Sequence, residues 1–233
     1  MKLVLLPGMD GTGELFSPLL HGLSEFDCVV ISLPQSGPQD YESLTHYVRA
    51  RLPEDDFILV AESFSGAIGM QLVQQKIENI KGIIFVASFL SSPSRRLIAL
   101  AKILPLKFMA SLPFSKSFYK LLFLGLSASD ELTRLFQSIV LAIPADIIRA
   151  RLNTIQSLTF DFKSSELPAG YIQATFDRLV PSDKAIEVSR LFKNIIIKPI
   201  VGPHFILQAH PNECVLAITE LAHVINNQKP KDS

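Results

Sequence analysis

Short, wholly apolar runs alternate with longer amphipathic stretches along most of this chain of 233 residues. Such runs are typical of strands buried on both faces, and their alternation with helices predicts a parallel sheet covered on both sides. Strands are predicted at residues 2–6, 28–32, 57–61, 82–87, 171–175 and 195–200. Helices are predicted at about residues 14–23, 41–51 (after a cap at Asp40), 65–75, 182–192 and 212–225. We therefore expect an α/β fold with a six-stranded, mostly or entirely parallel sheet.

The alternation stops between residues 91 and 162, where the sequence predicts several helices and no strand. Because this block interrupts a parallel sheet, we interpret residues 91–162 as a helical cap inserted in a core formed by residues 1–90 and 163–233. Open α/β sheets bind ligands at the carboxyl edge of their strands, so the cap is expected over that edge. Its apolar stretch, residues 97–123, is expected to line an acyl pocket, unless those side chains only pack the cap onto the core.

Composition excludes several classes of protein. Lys and Arg together number 22, as do Asp and Glu, so the chain has no basic field that would attract nucleic acid. The N-terminal apolar run is too short for a signal peptide, and no run approaches the ~18 apolar residues of a membrane span. The two cysteines, Cys28 and Cys214, are interpreted as reduced core thiols. We expect a cytoplasmic protein with a small-molecule substrate, no metal and no cofactor, and the oligomeric state stays open.

A serine stands at the turn between a predicted strand and a predicted helix, in the sequence Ala61-Glu62-Ser63-Phe64-Ser65. Such a turn lifts the hydroxyl out of the sheet, next to helix N–H groups that stabilise negative charge. The usual pattern has glycine two residues before and after the serine, and here the small residues Ala61 and Ser65 take those places. Ser63 is therefore a candidate nucleophile, although a simple helix cap has the same short pattern. We interpret Glu62 as a structural residue that makes hydrogen bonds beneath the turn.

Residues 7–13 (Pro-Gly-Met-Asp-Gly-Thr-Gly) form a second loop, directly after the first predicted strand. Three glycines within six residues predict positive φ angles or a close approach to another group. Such a loop can supply one of the two N–H groups that hold a tetrahedral oxyanion. The candidate donors are the N–H of Met9 and that of Phe64, which follows the candidate nucleophile. The alternatives are a structural turn and a dinucleotide loop, and the glycine spacing argues against the second.

Asp177 and His204 each follow a predicted strand. Asp177 lies in a loop that ends at Pro181, and His204 follows a Gly-Pro pair. A histidine can act as general base for a serine, and a carboxylate on its other nitrogen fixes the tautomer. Taken alone, either residue could belong to an ordinary loop. The order Ser63, Asp177, His204, each at a strand end, favours a catalytic triad. Other aspartates and histidines are less suitably placed: Asp161, Asp183, His21, His46, His210 and His223.

These motifs resemble the α/β-hydrolase superfamily over essentially the whole chain, and within it the esterase, lipase and thioesterase branch. The likeness rests on loop 7–13, Glu62-Ser63-Phe64, residues 177–181 and residues 202–205. It implies strand order 4-3-5-6-7-8 in the superfamily's naming, without the N-terminal antiparallel hairpin. Besides Ala61 and Ser65, two residues depart from the usual pattern: Pro7 stands where many members have histidine, and Ala174 replaces a frequent glycine.

The resemblance implies a hydrolase of acyl esters or thioesters. Ser63 would attack the carbonyl, His204 would transfer the proton, and Asp177 would orient the imidazole. Two alternatives stay open. One is an acyltransferase, in which an alcohol instead of water resolves the acyl-enzyme, and the other is an inactive module that binds a small molecule in the same pocket. The sequence does not distinguish ester from thioester or determine the acyl-chain length.

Overall fold

The computed structural model describes residues 1–94, 98, 119–126, 128–159 and 161–228. Its sheet contains β1 (Lys2–Leu6), β2 (Asp27–Val30), β3 (Phe57–Glu62), β4 (Ile80–Val86), β5 (Ala169–Ala174) and β6 (Ile195–Ile200). The strands lie in the order β2-β1-β3-β4-β5-β6, and every neighbouring pair is parallel. The predicted parallel sheet and its strand order are therefore confirmed. The strand ends differ from the predicted ones by at most two residues.

The described helices lie before, between and after these strands. They are α1 (Ser17–Leu20), α2 (Tyr41–Arg49), α3 (Ser65–Gln74), α4 (Asp130–Ala142), α5 (Ala145–Ser157), α6 (Asp183–Ser189), α7 (Ile206–Ala209) and α8 (Pro211–Asn227). The Asp40 side chain caps α2 as predicted, accepting a hydrogen bond from Ser43 N at 2.8 Å. No described helix has the length and apolar character required to cross a membrane.

The first predicted helix, over residues 14–23, is wrong in its extent. A 3-10 turn covers Glu14–Phe16, and α1 then ends at Leu20. Gly22 lies against α8, where an added Cβ would be 2.6 Å from a side-chain carbon of Val215. After Leu20 the chain continues in i→i−3 turns, with Gly22 N bonded to the Leu19 carbonyl and Leu23 N to the Leu20 carbonyl. Apolar periodicity does not distinguish such turns from an α-helix.

Both faces of the sheet are buried, as the apolar runs predict. In β3, Phe57, Leu59 and Ala61 belong to one apolar cluster, which α2, α3, α4 and α5 also supply. The alternate residues Ile58 and Val60 belong to a second cluster, formed with α1 and α8. Because successive side chains of a strand point to opposite faces, these two clusters are the two helix-covered faces of the sheet. The loops at the carboxyl ends of the strands are consequently held on a rigid layer.

Between β4 and β5 the described residues form a π-helical turn at Lys120–Leu124, followed by α4 and α5. The buried side chains of α4, such as Phe136 and Ile139, join the same cluster as the core sheet. The predicted acyl-pocket residues Leu100, Ile103, Leu104, Phe108, Met109, Leu112, Phe114 and Phe118 lie outside the described residues, as does the side chain of Leu122. Leu121, which was expected to line the pocket, is 45% exposed.

Candidate active site

Ser63 lies at a sharp turn between β3 and α3. Its backbone has a φ of 48°, in the left-handed region that side chains other than glycine rarely adopt. The turn is held by hydrogen bonds from Ser63 N to the Val86 carbonyl at 2.9 Å and from Gly66 N to the Ser63 carbonyl at 3.0 Å. A strained residue persists only where its surroundings fix it, and such residues concentrate at functional sites.

Small residues bring α3 close to the neighbouring strands at this turn. A Cβ added at Gly66 would lie 2.7 Å from Ser88 Cβ, and one at Gly69 would lie 2.8 Å from Ile83 Cδ1. Ser65, which replaces a glycine of the usual pattern, is fully buried. Its hydroxyl donates a hydrogen bond of 2.5 Å to the Pro7 carbonyl. The departure from glycine therefore fits the available space and also ties the turn to loop 7–13.

The structure brings Ser63, His204 and Asp177 together. Ser63 Oγ lies 2.9 Å from His204 Nε2, and His204 Nδ1 lies 2.6 Å from Asp177 Oδ2. The serine, the imidazole and the carboxylate are all buried. A proton on Nδ1 that is donated to Asp177 leaves the lone pair of Nε2 free to accept the serine hydroxyl proton. This is the arrangement required for general-base activation of a serine.

The Asp177 carboxylate is itself held in place. Its second oxygen, Oδ1, accepts hydrogen bonds from Leu179 N and Val180 N, both at 2.8 Å. The loop carrying Asp177 is joined to the one carrying His204, since Phe176 N donates to the Gly202 carbonyl at 2.9 Å. Backbone bonds of this kind fix the orientation of a carboxylate. The acid and the histidine are thus positioned by the same pair of strand ends.

The other candidates lie elsewhere. Asp183 begins α6, as predicted for a first-turn acid, and Asp161 precedes β5. His210 lies 3.5 Å from Glu213, and His223 lies 3.5 Å from Glu25. His21 and His46 are exposed on or beside the first two helices. None of these histidines makes a hydrogen bond to Ser63 in the described structure.

Loop 7–13 adopts the backbone conformations that its glycines predict. Gly11 and Gly13 have φ angles of 71° and 79°. Gly11 N donates to the Gly8 carbonyl at 3.1 Å, which closes a turn around Met9. On the other side, Phe64 follows the nucleophile directly, and its ring stacks on Tyr41 at 4.9 Å. Both candidate oxyanion donors, Met9 and Phe64, are therefore on backbone that is fixed by its neighbours.

Glu62 lies beneath the turn, as expected from the sequence. Its carboxylate accepts hydrogen bonds from Gly8 N at 3.3 Å and from Gln208 Nε2 at 3.0 Å. Only 3% of the residue is exposed. Burial, together with the nearby charge of Asp10, raises the pKa of the Glu62 carboxyl to about 7. Among the described residues, no group of three or more His, Cys, Asp or Glu side chains is arranged to hold a metal ion.

One residue beside this site, Arg151, is not predicted by any sequence motif. It is fully buried, and its guanidinium donates to the carbonyls of Met9 and Asp10 in loop 7–13. One sequence signal could have revealed it. Arg151 stands on the apolar stripe of α5, between the buried residues Ile148 and Ile155, where a cation is unusual unless it has hydrogen-bond partners.

A parallel sheet covered by helices on both faces, with Ser63, Asp177 and His204 meeting at its carboxyl edge, defines the chain as an α/β hydrolase. Comparison with protein families agrees. The chain belongs to the family described as serine aminopeptidase, S33, whose model matches residues 21–198. The resemblance to the α/β-hydrolase superfamily is thereby confirmed.

Solved structures share this fold at low sequence identity. An esterase (EaEST) from Exiguobacterium antarcticum has a TM-score of 0.79 and 12% identity, covering 97% of this chain and 92% of its own. MenH from S. aureus has a TM-score of 0.77 and 14% identity, with coverage of 97% and 95%. The enol-lactonase from Burkholderia xenovorans LB400 has a TM-score of 0.76 and 12% identity, with coverage of 95% and 90%. No curated protein matches the sequence significantly.

Proposed function

We propose that this α/β hydrolase cleaves acyl esters or thioesters through an acyl-enzyme formed on Ser63. The observation that carries the proposal is the pair of contacts at 2.9 Å and 2.6 Å that join Ser63 Oγ to His204 and His204 to Asp177. A neutral serine hydroxyl is a poor nucleophile near pH 7, and a buried histidine within hydrogen-bond distance is what activates it.

The proposed reaction proceeds in two halves. Ser63 Oγ attacks the acyl carbonyl while His204 Nε2 takes the hydroxyl proton, and His204 then returns that proton to the leaving alcohol or thiol. Water, activated by the same histidine, attacks the acyl-enzyme and releases the acid. Asp177 holds the imidazole in the required tautomer and stabilises its charged form. The N–H groups of Met9 and Phe64 hold the oxyanion in both halves.

We further propose that residues 91–162 are a cap that covers the acyl group of the substrate. Support comes from Phe123 and Phe136, whose rings lie 6.0 Å and 4.9 Å from the ring of Phe205. Phe205 is next to His204, and the two rings are 5.3 Å apart. An apolar surface this close to the imidazole suits an apolar acyl chain. A cytoplasmic location stays part of the proposal, supported by the free thiols of Cys28 and Cys214.

A fluorophosphonate probe, which reacts covalently with activated serines, gives the direct test. We expect labelling of the wild type at Ser63 and none in Ser63→Ala or His204→Ala. Ser138→Ala is the matched control, because Ser138 is exposed on α4 and should leave labelling unchanged. Labelling at another serine, or undiminished labelling without His204, would overturn the mechanism.

A substrate panel tests the class of bond that is cleaved. It should contain 4-nitrophenyl esters and acyl thioesters of two to eight carbons, together with aminoacyl 4-nitroanilides, because the family description names an aminopeptidase. We expect ester or thioester turnover in which kcat/KM rises about fourfold for each added CH₂, equivalent to ~0.8 kcal/mol of burial. Preference for the anilides would contradict the ester proposal. Product analysis with added alcohol distinguishes hydrolysis from acyl transfer.

A further inference from the structure

Residues 8–11 form a tight turn that contains Met9. Gly11 N donates to the Gly8 carbonyl across this turn. The Met9 N–H and the Gly8 carbonyl belong to the same trans peptide and point in opposite directions. The orientation of the turn therefore sets the direction of the Met9 N–H, the candidate oxyanion donor. Donors that are already oriented stabilise an oxyanion best, because they do not reorganise as charge develops.

Two buried side chains hold the start of this loop. Ser65 Oγ donates to the Pro7 carbonyl at 2.5 Å, and the Glu62 carboxylate accepts from Gly8 N at 3.3 Å. Both side chains come from the strand–helix turn that carries Ser63. The entry to the turn is therefore fixed relative to the nucleophile.

Arg151 holds the two central residues of the turn from the opposite side. Its Nη1 donates to the carbonyls of Met9 and Asp10, at 2.8 Å and 2.9 Å. Its Nη2 donates to the Pro34 carbonyl at 2.9 Å, and its Nε donates to Gln39 Oε1 at 2.9 Å. The guanidinium thus uses its planar fork to bind three backbone carbonyls and one side-chain amide at once.

This interaction is specific to a guanidinium at this position. The four acceptor oxygens are all uncharged, and the side chain is fully buried. Burial lowers the pKa of Arg151 to about 10 against the opposing effect of Asp10, so the group is still charged near neutral pH. Gly11 makes room for it, because a Cβ there would collide with Arg151 Nη1. Burying a cation costs more free energy than burying apolar side chains. Apolar residues would therefore be expected at this position if it served only to pack two elements together.

We propose that Arg151 is a positioning residue for the oxyanion hole: by binding the Met9 and Asp10 carbonyls it fixes the turn that directs the Met9 N–H towards Ser63. This inference rests on the proposed function. It links α5, in the proposed cap, to the chemistry on the core. Arg151 does not touch the substrate, and its effect on the reaction passes through the backbone of Met9.

Kinetics of Arg151→Lys and Arg151→Met test the inference. Both variants lose the planar fork that ties the Met9 and Asp10 carbonyls to Pro34 and Gln39. We expect kcat to fall about 100-fold, as when one oxyanion donor is lost. KM for the same ester should change by less than about threefold, because the oxyanion hole binds the uncharged carbonyl of the ground state only weakly. Arg149→Lys and Arg149→Met are the matched controls, since Arg149 is exposed on the same helix.

A readout that depends on the oxyanion separates positioning from a structural role. Trifluoromethyl ketones add to the serine and place an oxyanion in the hole, so their inhibition constant should weaken by the same factor as kcat. All rates are expressed per site labelled at completion by fluorophosphonate, which removes the effect of misfolded protein. Arg151→Lys retains the charge and most of the volume, and it provides the test if Arg151→Met does not fold.

The outcomes are distinct. An unchanged kcat and inhibition constant per labelled site in the Arg151 variants would overturn the inference while leaving the proposed function intact. A parallel loss of kcat and of inhibitor affinity, absent in the Arg149 variants, supports it. A wild type that is neither labelled nor active on any ester or thioester would overturn the proposed function and this inference together.

Discussion

Replacing Glu62 by glutamine should make the protein's stability less dependent on pH. Burial and the charge of Asp10 raise the pKa of this carboxyl to about 7, against an ordinary value of 4.5. The folded protein therefore binds the Glu62 proton more tightly than the unfolded chain does. The stability that protonated Glu62 contributes is fully present below pH 4.5. It is lost as the pH rises through 7, because the carboxyl group then ionises in a buried site.

The size of the effect follows from the two pKa values. Each pH unit between them corresponds to about 1.36 kcal/mol, so the interval from 4.5 to about 7 corresponds to about 3 kcal/mol. Glu62→Gln has no proton to lose in this range. The new amide can still accept from Gly8 N. Gln208 can turn its own amide so that its carbonyl oxygen, which has no hydrogen-bond partner among the described residues, accepts the new N–H. We therefore expect the fold to be retained.

Urea denaturation of the wild type and of Glu62→Gln between pH 4.5 and 8 measures the effect. The free energy of unfolding of the wild type, minus that of the variant, should fall by about 3 kcal/mol across this range. The pH dependence of stability that comes from the other carboxyl groups is the same in both proteins and cancels in this difference. Glu54→Gln is the control, because Glu54 is exposed. The difference in the free energy of unfolding between the wild type and this variant should not change with pH. A flat or rising difference for Glu62→Gln would falsify this account. Turnover should stay within about tenfold of wild type.

The remaining predictions concern the triad and the turn beneath it. Ser63→Ala and His204→Ala should each lower kcat by several orders of magnitude, and the double variant should lose little more, because the residues act as one unit; additive losses would contradict this. Asp177→Asn should lower kcat by about 10⁴ with KM nearly unchanged, measured on the best ester of the panel. Gly66→Ala should destabilise the protein by about 1–3 kcal/mol in urea denaturation, since its Cβ would lie 2.7 Å from Ser88 Cβ; wild-type stability would refute the packing argument.

The sheet was predictable because its strands are buried on both faces and therefore read as continuous apolar runs. The extent of the first helix was not, because the turns that follow Leu20 continue the helical apolar spacing with i→i−3 bonds instead of α-helical ones. The short helix α7 was missed as well. At four residues it carries no periodicity, and its first residue follows directly from the loop of His204. Helical segments this short or irregular are not predicted by local apolar periodicity.

The positions of Ser63, Asp177 and His204 followed from strand ends, because parallel strands bring their carboxyl ends to one edge of the sheet. Their catalytic roles and those of Met9 and Phe64 stay predictions. No sequence pattern predicts a role for Ser65 beyond its small size. Its bond to the Pro7 carbonyl depends on how near β1 lies to the start of α3, which only the sheet order determines.

The contacts of Arg151 cannot be predicted from sequence motifs. Its partners in loop 7–13 are backbone carbonyls, which every residue has, so no pairing of side chains along the sequence points to it. The geometric requirement instead falls on Gly11, whose missing Cβ leaves space for the guanidinium. Gly11 thus shows both features expected of this loop, a positive φ and the close approach of another group, which is the guanidinium of a distant arginine. Loop 7–13 and the fifth helix therefore constrain each other, and substitutions at Gly11 and at Arg151 should be coupled rather than additive.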